Sequence, residues 1–191
     1  MAAGRQPRIY LAGPEVFLPD AFAIGAAKVA LCAEIGLTGV FPLDQSLDLS
    51  GFAPEAQARA IAFANEDLMR STNALIANLT PFRGVSADVG TAYEVGFMRA
   101  LGRPVFGYAS SGEDYHARVA AFRSTTPAWR DGDRADYSVE NFGLAENLMI
   151  EVALREAGQP PVRGSASGLG IDDLGPFEAC LKAAAAALLT S

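Results

Sequence analysis

Two short stretches of this chain combine residue types that do chemistry with glycines that let a ligand come close. One is Asp88-Val89-Gly90-Thr91-Ala92-Tyr93-Glu94-Val95-Gly96. The other is Tyr10-Leu11-Ala12-Gly13-Pro14. A carboxylate presented beside backbone that lacks a Cβ is a candidate nucleophile, base or hydroxyl ligand. Asp67 is a further candidate. Its neighbour Glu66 has Arg70 at i+4 as a helical partner, whereas Asp67 has none.

Glu94 also has a plainer reading. Thr91-x-x-Glu94 matches a capping box, which only starts a helix. The apolar period argues for an earlier start. Val89, Ala92, Tyr93, Gly96, Phe97 and Ala100 form one stripe at helical spacing, expected to be the buried one. The helix then begins near Asp88, with Asp88 or Ser86 as N-cap, and Glu94 stands off the centre of that stripe. Met98 at i+4 offers it no ion pair.

The elements that must position these groups alternate. Strands are expected at Arg8 to Ala12, Thr38 to Leu43, Ala74 to Leu79 and Pro104 to Tyr108. Helices are expected at Asp20 to Ile35, Pro54 to Arg70, Asp88 to Leu101, Ser138 to Ala157 and Leu174 to Leu189. Tyr108 to Tyr137 reads as irregular, and Gln159 to Gly170 as a Pro/Gly/Ser-rich linker. Alternation of this kind gives an α/β class with an open, mainly parallel sheet and helices on both faces. A flavodoxin-like order is favoured over a dinucleotide fold, because the first turn, Ala12-Gly13-Pro14-Glu15, lacks both G-x-G-x-x-G and a P-loop Lys. In such a sheet ligands bind beyond the carboxyl ends of the strands, where the loops carrying Gly13-Pro14, Ser86 to Glu94 and Ser110-Ser111 should neighbour each other, while Asp67 lies at the end of the second helix, before the third strand.

Composition narrows the function. The 191 residues suit one domain, with a core over about 8–157, a linker at 159–170 and a last helix at 174–189. A net charge of −7 speaks against a nucleic-acid polymer as partner, though not against a nucleoside. No apolar run is long enough to span a bilayer, and Met1 to Arg5 lacks a signal's apolar stretch, so a cytoplasmic location is expected. Cys32 and Cys180 are expected to be reduced, and His116 to lie at the surface. No His/Cys/carboxylate cluster has metal spacing, and no cofactor is expected.

The chain resembles the nucleoside 2-deoxyribosyltransferase family. The resemblance rests on Ile9-Tyr10-Leu11-Ala12-Gly13-Pro14, Pro42-Leu43-Asp44, Asn65-Glu66-Asp67-Leu68, Asp88-Val89-Gly90-x-x-x-Glu94-x-Gly96 and Glu146-Asn147-Leu148-Met149. It implies exchange of the base of a 2′-deoxynucleoside for a free base, with retention. It implies Glu94 as the nucleophile at C1′ and Asp67 as the group moving a proton to and from the bases. Tyr10 would orient Glu94, and Asp88 would bind sugar hydroxyls. Asp44 and Gln45 would lie near the base, and Gly13, Ser86 and Gly90 would line the site. Asn147 would reach the sugar of a neighbouring subunit, which implies a homo-oligomer with shared sites.

Three other readings compete. Related enzymes hydrolyse deoxynucleoside 5′-monophosphates through a similar Glu, and Arg83 with Ser86 could hold a phosphate at the start of the third helix. A cytokinin-activating phosphoribohydrolase shares Gly90-Thr91-x-x-Glu94 but needs a preceding Pro-Gly-Gly that is missing here. A non-catalytic nucleoside-binding module could use the same fold. Some members of the family end in a Tyr whose carboxylate enters the site. This chain ends Leu188-Leu189-Thr190-Ser191 after an extra helix, so no role is assigned to its C-terminus.

Overall fold

A computed structural model describes residues 6–45, 47–132, 134–165 and 170–189. Parts of the expected linker and both chain ends therefore lie outside the described residues. Five strands form one all-parallel sheet: β1 (Arg8–Ala12), β2 (Thr38–Val40), β3 (Ala74–Asn78), β4 (Val105–Ala109) and β5 (Val162–Arg163). Their spatial order is β2-β1-β3-β4-β5, the flavodoxin-like order, whose switch point lies between β1 and β3. Ala12 of β1 stands beside Ala77 of β3, so the two strands end together.

The helices are α1 (Ala21–Glu34), α2 (Pro54–Arg70), α3 (Val89–Ala100), α4 (Tyr115–Thr125), α5 (Pro127–Arg130), α6 (Leu148–Glu156) and α7 (Leu174–Leu189). One face of the sheet packs Ile9, Leu11, Ile76 and Phe106 against Cys32 of α1 and Phe177 of α7. The other packs Tyr10, Leu75, Ala77 and Val105 against Val95 of α3 and Leu154 of α6. Strands covered on both faces read as continuous apolar runs, and β3 and β4 are buried at every position. Cys32 and Cys180 are free and buried. No helix among the described residues is long and apolar enough to cross a membrane.

Four expectations are corrected. The helix read over Ser138 to Ala157 is helical only from Leu148. Gly143 has φ 66, and Asn147 caps the shorter helix by accepting the Met149 N–H at 3.0 Å. The segment read as irregular, Tyr108 to Tyr137, contains α4 and α5, whose mixed polar pattern hid their period. The expected linker contributes β5, which pairs Val162 with Tyr108; two residues are too few to display alternation. The second strand stops at Val40, and Pro42–Asp44 is a 3₁₀ turn.

Candidate active site

At the switch point the turn after β1, the loop after β3 and the first turns of α3 come together at the carboxyl ends of the strands. Glu94 sits on the second turn of α3 and points inward. The Tyr10 hydroxyl, on β1, donates to Glu94 Oε1 at 2.7 Å. Tyr10 is fully buried, so its ring is a fixed post for the carboxylate. Burial pushes Glu94 up to about 7, Tyr10's hydrogen bond pulls it down, and the negative charges of Asp88 and Glu15 raise it again. Burial and the same carboxylate raise the Tyr10 phenol far above its ordinary range, so it stays a donor.

The inward aim of Glu94 corrects the expected face of this helix. Thr91, Val95 and Met98 are its buried residues. Val89 is 85% exposed and Tyr93 56% exposed, and Gly96 and Ala100 are exposed too, so most of the expected stripe faces outward, while Ala92 and Phe97 are partly packed against the core. Both faces are apolar, and periodicity alone does not choose between them.

Asp88 is the N-cap. Its Oδ2 accepts from Gly90 N at 2.9 Å and Thr91 N at 3.2 Å. A Cβ on Gly90 would come within 2.9 Å of that oxygen, so glycine is needed there for close approach. The capping leaves Oδ1 without a described partner. Gly13 is required more strictly. Its φ of 161 is ordinary extended backbone, but a Cβ would stand 2.0 Å from Glu15 Oε2 and 2.9 Å from Asn78 Cβ.

Ser86 does not cap α3. Its hydroxyl donates to Glu146 Oε1, and the same carboxylate accepts Ala87 N at 3.0 Å and Asn147 N at 2.9 Å. Arg118 completes this knot. It donates to Val85 O at 2.8 Å, Ala145 O at 2.7 Å and Glu146 Oε2 at 3.2 Å. Sequence reasoning gave Arg118 no role. A lone Arg in a mixed helix carries no signal until the loops it joins are known. Asn147, besides capping α6, donates to Glu140 Oε1 at 2.7 Å.

After the 3₁₀ turn that follows β2, Gln45 lines a cavity of about 370 Å³ with Phe17, Leu43, Leu47, Ile61 and Asn65. Gln45 Nε2 is buried without a partner. Asp44 is exposed and accepts the Phe41 N–H at 3.1 Å through Oδ2. Asp67 is exposed on α2, and among the described residues no hydrogen bond or ion pair joins it to Glu94, Tyr10 or Asp88. Glu66 pairs with Arg70 at 3.6 Å, as its spacing implied, and accepts the Tyr93 hydroxyl at 2.6 Å. Arg83 has φ 56, and its guanidinium lies over the stacked rings of Phe17 and Phe82 at 4.5 and 4.6 Å.

The structure thus brings Tyr10, Gly13, Asp88, Gly90 and Glu94 together. It ties Ser86 and Asn147 to one another through Glu146, and sets Gln45 in the neighbouring cavity. Among the described residues no group of three or more His, Cys, Asp or Glu side chains could hold a metal.

Comparison with known proteins agrees in both sequence and shape. The sequence pattern of the nucleoside 2-deoxyribosyltransferase family matches residues 9–149. An uncharacterized protein of Schizosaccharomyces pombe is 31% identical over 168 residues, covering 80% of this chain and 79% of its own length. The structure of a 2-desoxiribosyltransferase from Leishmania mexicana superimposes with a TM-score of 0.65 at 30% identity, over 94% of this chain and 97% of that one. A conserved protein from Enterococcus faecalis V583 shares the fold, with a TM-score of 0.55 at 21% identity over 94% of this chain and 99% of its own.

Proposed function

The chain belongs to the nucleoside 2-deoxyribosyltransferase family, and we propose that it moves 2-deoxyribose between nucleobases through a covalent deoxyribosyl–Glu94 ester. The observation that carries this reading is the bond from Tyr10 to Glu94 Oε1 at 2.7 Å, made at the carboxyl end of the sheet beside Asp88. A half-buried carboxylate held by one donor is aimed and yet remains a strong nucleophile.

In the first step a Glu94 oxygen forms a bond to C1′ as the C1′–N bond breaks. Asp67 gives its proton to the departing base. In the second step a nitrogen of the incoming base attacks C1′, the Glu94 oxygen leaves, and Asp67 takes up the incoming base's proton. Two inversions give retention, as in retaining glycosidases. A positioned acid contributes typically ~10²–10⁴-fold to such a departure. Asp88 Oδ1 accepts from a sugar hydroxyl, and Gln45 Nε2 donates to the base. Among the described residues no hydrogen bond or ion pair holds the Asp67 side chain elsewhere.

The site is shared between copies of the chain. The outward stripe of α3 and the neighbouring face of α6 form an open groove of about 600 Å³, lined by Val89, Ala92, Gly96, Met149 and Ala153. Met149 is 74% exposed and Phe142 67% exposed. A contiguous apolar face of this kind on two adjacent helices suits a second copy. Asn147 lies on its rim, where it can serve a neighbour's sugar.

The test is incubation with deoxyinosine, with and without adenine. Base exchange forms deoxyadenosine only when adenine is present. Free hypoxanthine in both reactions identifies a hydrolase, and no product in either identifies a binding module.

A further inference from the structure

Phe17 joins the turn after β1 to the loop after β3. It ends the 3₁₀ turn Pro14–Phe17. The head of that turn is fixed to the body of the fold. Glu15 is fully buried there and accepts from Lys28 Nζ of α1 and from Asn78 Nδ2 of β3 at 2.8 Å. The Phe17 side chain is held differently. Its ring is 51% exposed and yet forms a wall of the Gln45 cavity. A ring so exposed changes rotamer freely unless something holds it.

What holds it comes from the loop after β3. The Phe82 ring stacks on Phe17, with centroids 5.5 Å apart and planes 11° apart. The Arg83 guanidinium lies 4.5 Å from the Phe17 centroid and 4.6 Å from that of Phe82, so it spans both rings. Phe82 N–H donates to Ser86 O at 3.0 Å, and the Ser86 hydroxyl is bonded to Glu146. The clasp therefore reaches from the buried Arg118–Glu146 pair to the wall of the cavity.

The backbone shows that the place of the Arg83 side chain matters. Arg83 is the one non-glycine residue with positive φ among the described residues. A left-handed arginine costs energy that glycine would avoid. Gly84 stands next in the chain and is not the left-handed residue. Strain of this kind persists where the surrounding structure needs it. Arg83 is exposed, and among the described residues it joins no salt bridge. Its described contacts are the two rings.

We infer that Arg83 is a positioning residue, which acts through Phe17 to hold the wall of the Gln45 cavity in place for the base of a nucleoside. A flat aromatic base gains from a wall that is itself a fixed ring. The inference rests on the reading that this cavity takes the base, and not on the exchange reaction.

The experiment is titration calorimetry of deoxyinosine and of deoxycytidine into the full chain carrying Glu94→Gln, which removes the nucleophile. Neither ligand has a phosphate, so Arg83 meets no anion. Arg83→Gly keeps the fold, since glycine adopts φ 56 without strain. Two exposed cation–π contacts are lost, and the dissociation constant rises roughly fivefold. Arg83→Lys keeps a cation and recovers part of that loss. Phe17→Leu keeps the wall apolar but removes the ring through which Arg83 acts. In that background Arg83→Gly changes the constant by less than about twofold, because the two residues act as one unit. An unchanged constant in Arg83→Gly overturns the proposal. An equal loss with and without the Phe17 ring also overturns it, because Arg83 then acts on the ligand itself. A chain that binds neither nucleoside takes the cavity away from nucleobases and overturns the proposal with that reading. The expected pattern in a parent that exchanges no bases supports the role of Arg83 and overturns the exchange reading alone.

Discussion

Glu146 and Arg118, 28 positions apart, form an ion pair of 3.2 Å with both side chains buried. Glu146 holds Ser86, Ala87 and Asn147, while Arg118 holds the carbonyls of Val85 and Ala145. The loop that starts α3, and with it Asp88 and Glu94, is thereby fastened to the loop that starts α6. Removing one partner leaves the other charge buried and alone, which costs about 3–5 kcal/mol. Glu146→Leu is expected to unfold at markedly lower urea than the parent. A midpoint within experimental error of the parent's would mean that solvent replaces the pair.

Tyr10→Phe is expected to keep the fold, since it deletes one hydroxyl and leaves the ring. Glu94 loses the donor that lowers its proton affinity, so the acid limb of exchange moves to higher pH. At neutral pH the rate is expected to fall roughly tenfold. A uniform loss at every pH, with the limb in place, would assign Tyr10 to substrate positioning instead.

Glu94→Gln separates activity from stability. Exchange should all but vanish. The folded-state pKa of Glu94, about 7, lies above its ordinary value of 4.5. The parent therefore holds its full contribution below about pH 4.5, loses it as pH rises towards 7, and carries the cost of a buried anion above that. The variant should match the parent near pH 4 and exceed it above pH 7 by on the order of 1–3 kcal/mol. Thermal unfolding across that range checks the sign, and equal curves at pH 8 would remove the buried-anion account.

Much of this site was legible in sequence because its residues sit in local patterns. Asp88 and Glu94 share one helix start, and Tyr10 and Gly13 share one strand end, so spacing and alternation place them. What escaped was fixed by contacts between distant segments. β5 is two residues long and exists only because Val162 meets Tyr108. Arg118 and Glu15 bear charges that ordinarily face water, and only the assembled loops give them partners. The outward apolar stripe of α3 has the same signature as a core stripe, because helical spacing of apolar residues does not say which face the core covers. The roles proposed for Asp67, Gln45 and Asn147 come from the resemblance, not from periodicity.

The shared-site reading makes a complementation prediction. Glu94→Ala lacks the nucleophile, and Asn147→Ala lacks the group offered to a neighbour. Each alone should be inactive. Mixed after dissociation and reassembly, they should recover part of the activity, since some sites then hold both intact residues. Met149→Glu, which places a charge on the exposed apolar face, should lower the sedimentation mass. Full activity in a monomer would dismiss the shared site.

The 5′ end of the donor is set by charges around the α3 start. Arg83 is the one cation in the loop from Thr80 to Ser86, and its guanidinium is laid over Phe17 and Phe82. Ser86, the other group able to meet a phosphate, is bonded to Glu146. Asp88 already uses the first N–H groups of α3, the ones a phosphate would need. Two unit charges at ~4 Å interact by roughly 4 kcal/mol at an effective dielectric of 20, so a phosphate beside ionised Asp88 is repelled with little to offset it. Deoxyinosine should therefore show a higher kcat/KM than its 5′-monophosphate, and the gap should narrow in Asp88→Asn. A monophosphate that is the better donor would mean that Arg83 leaves its rings to bind it, and would favour the nucleotide hydrolase.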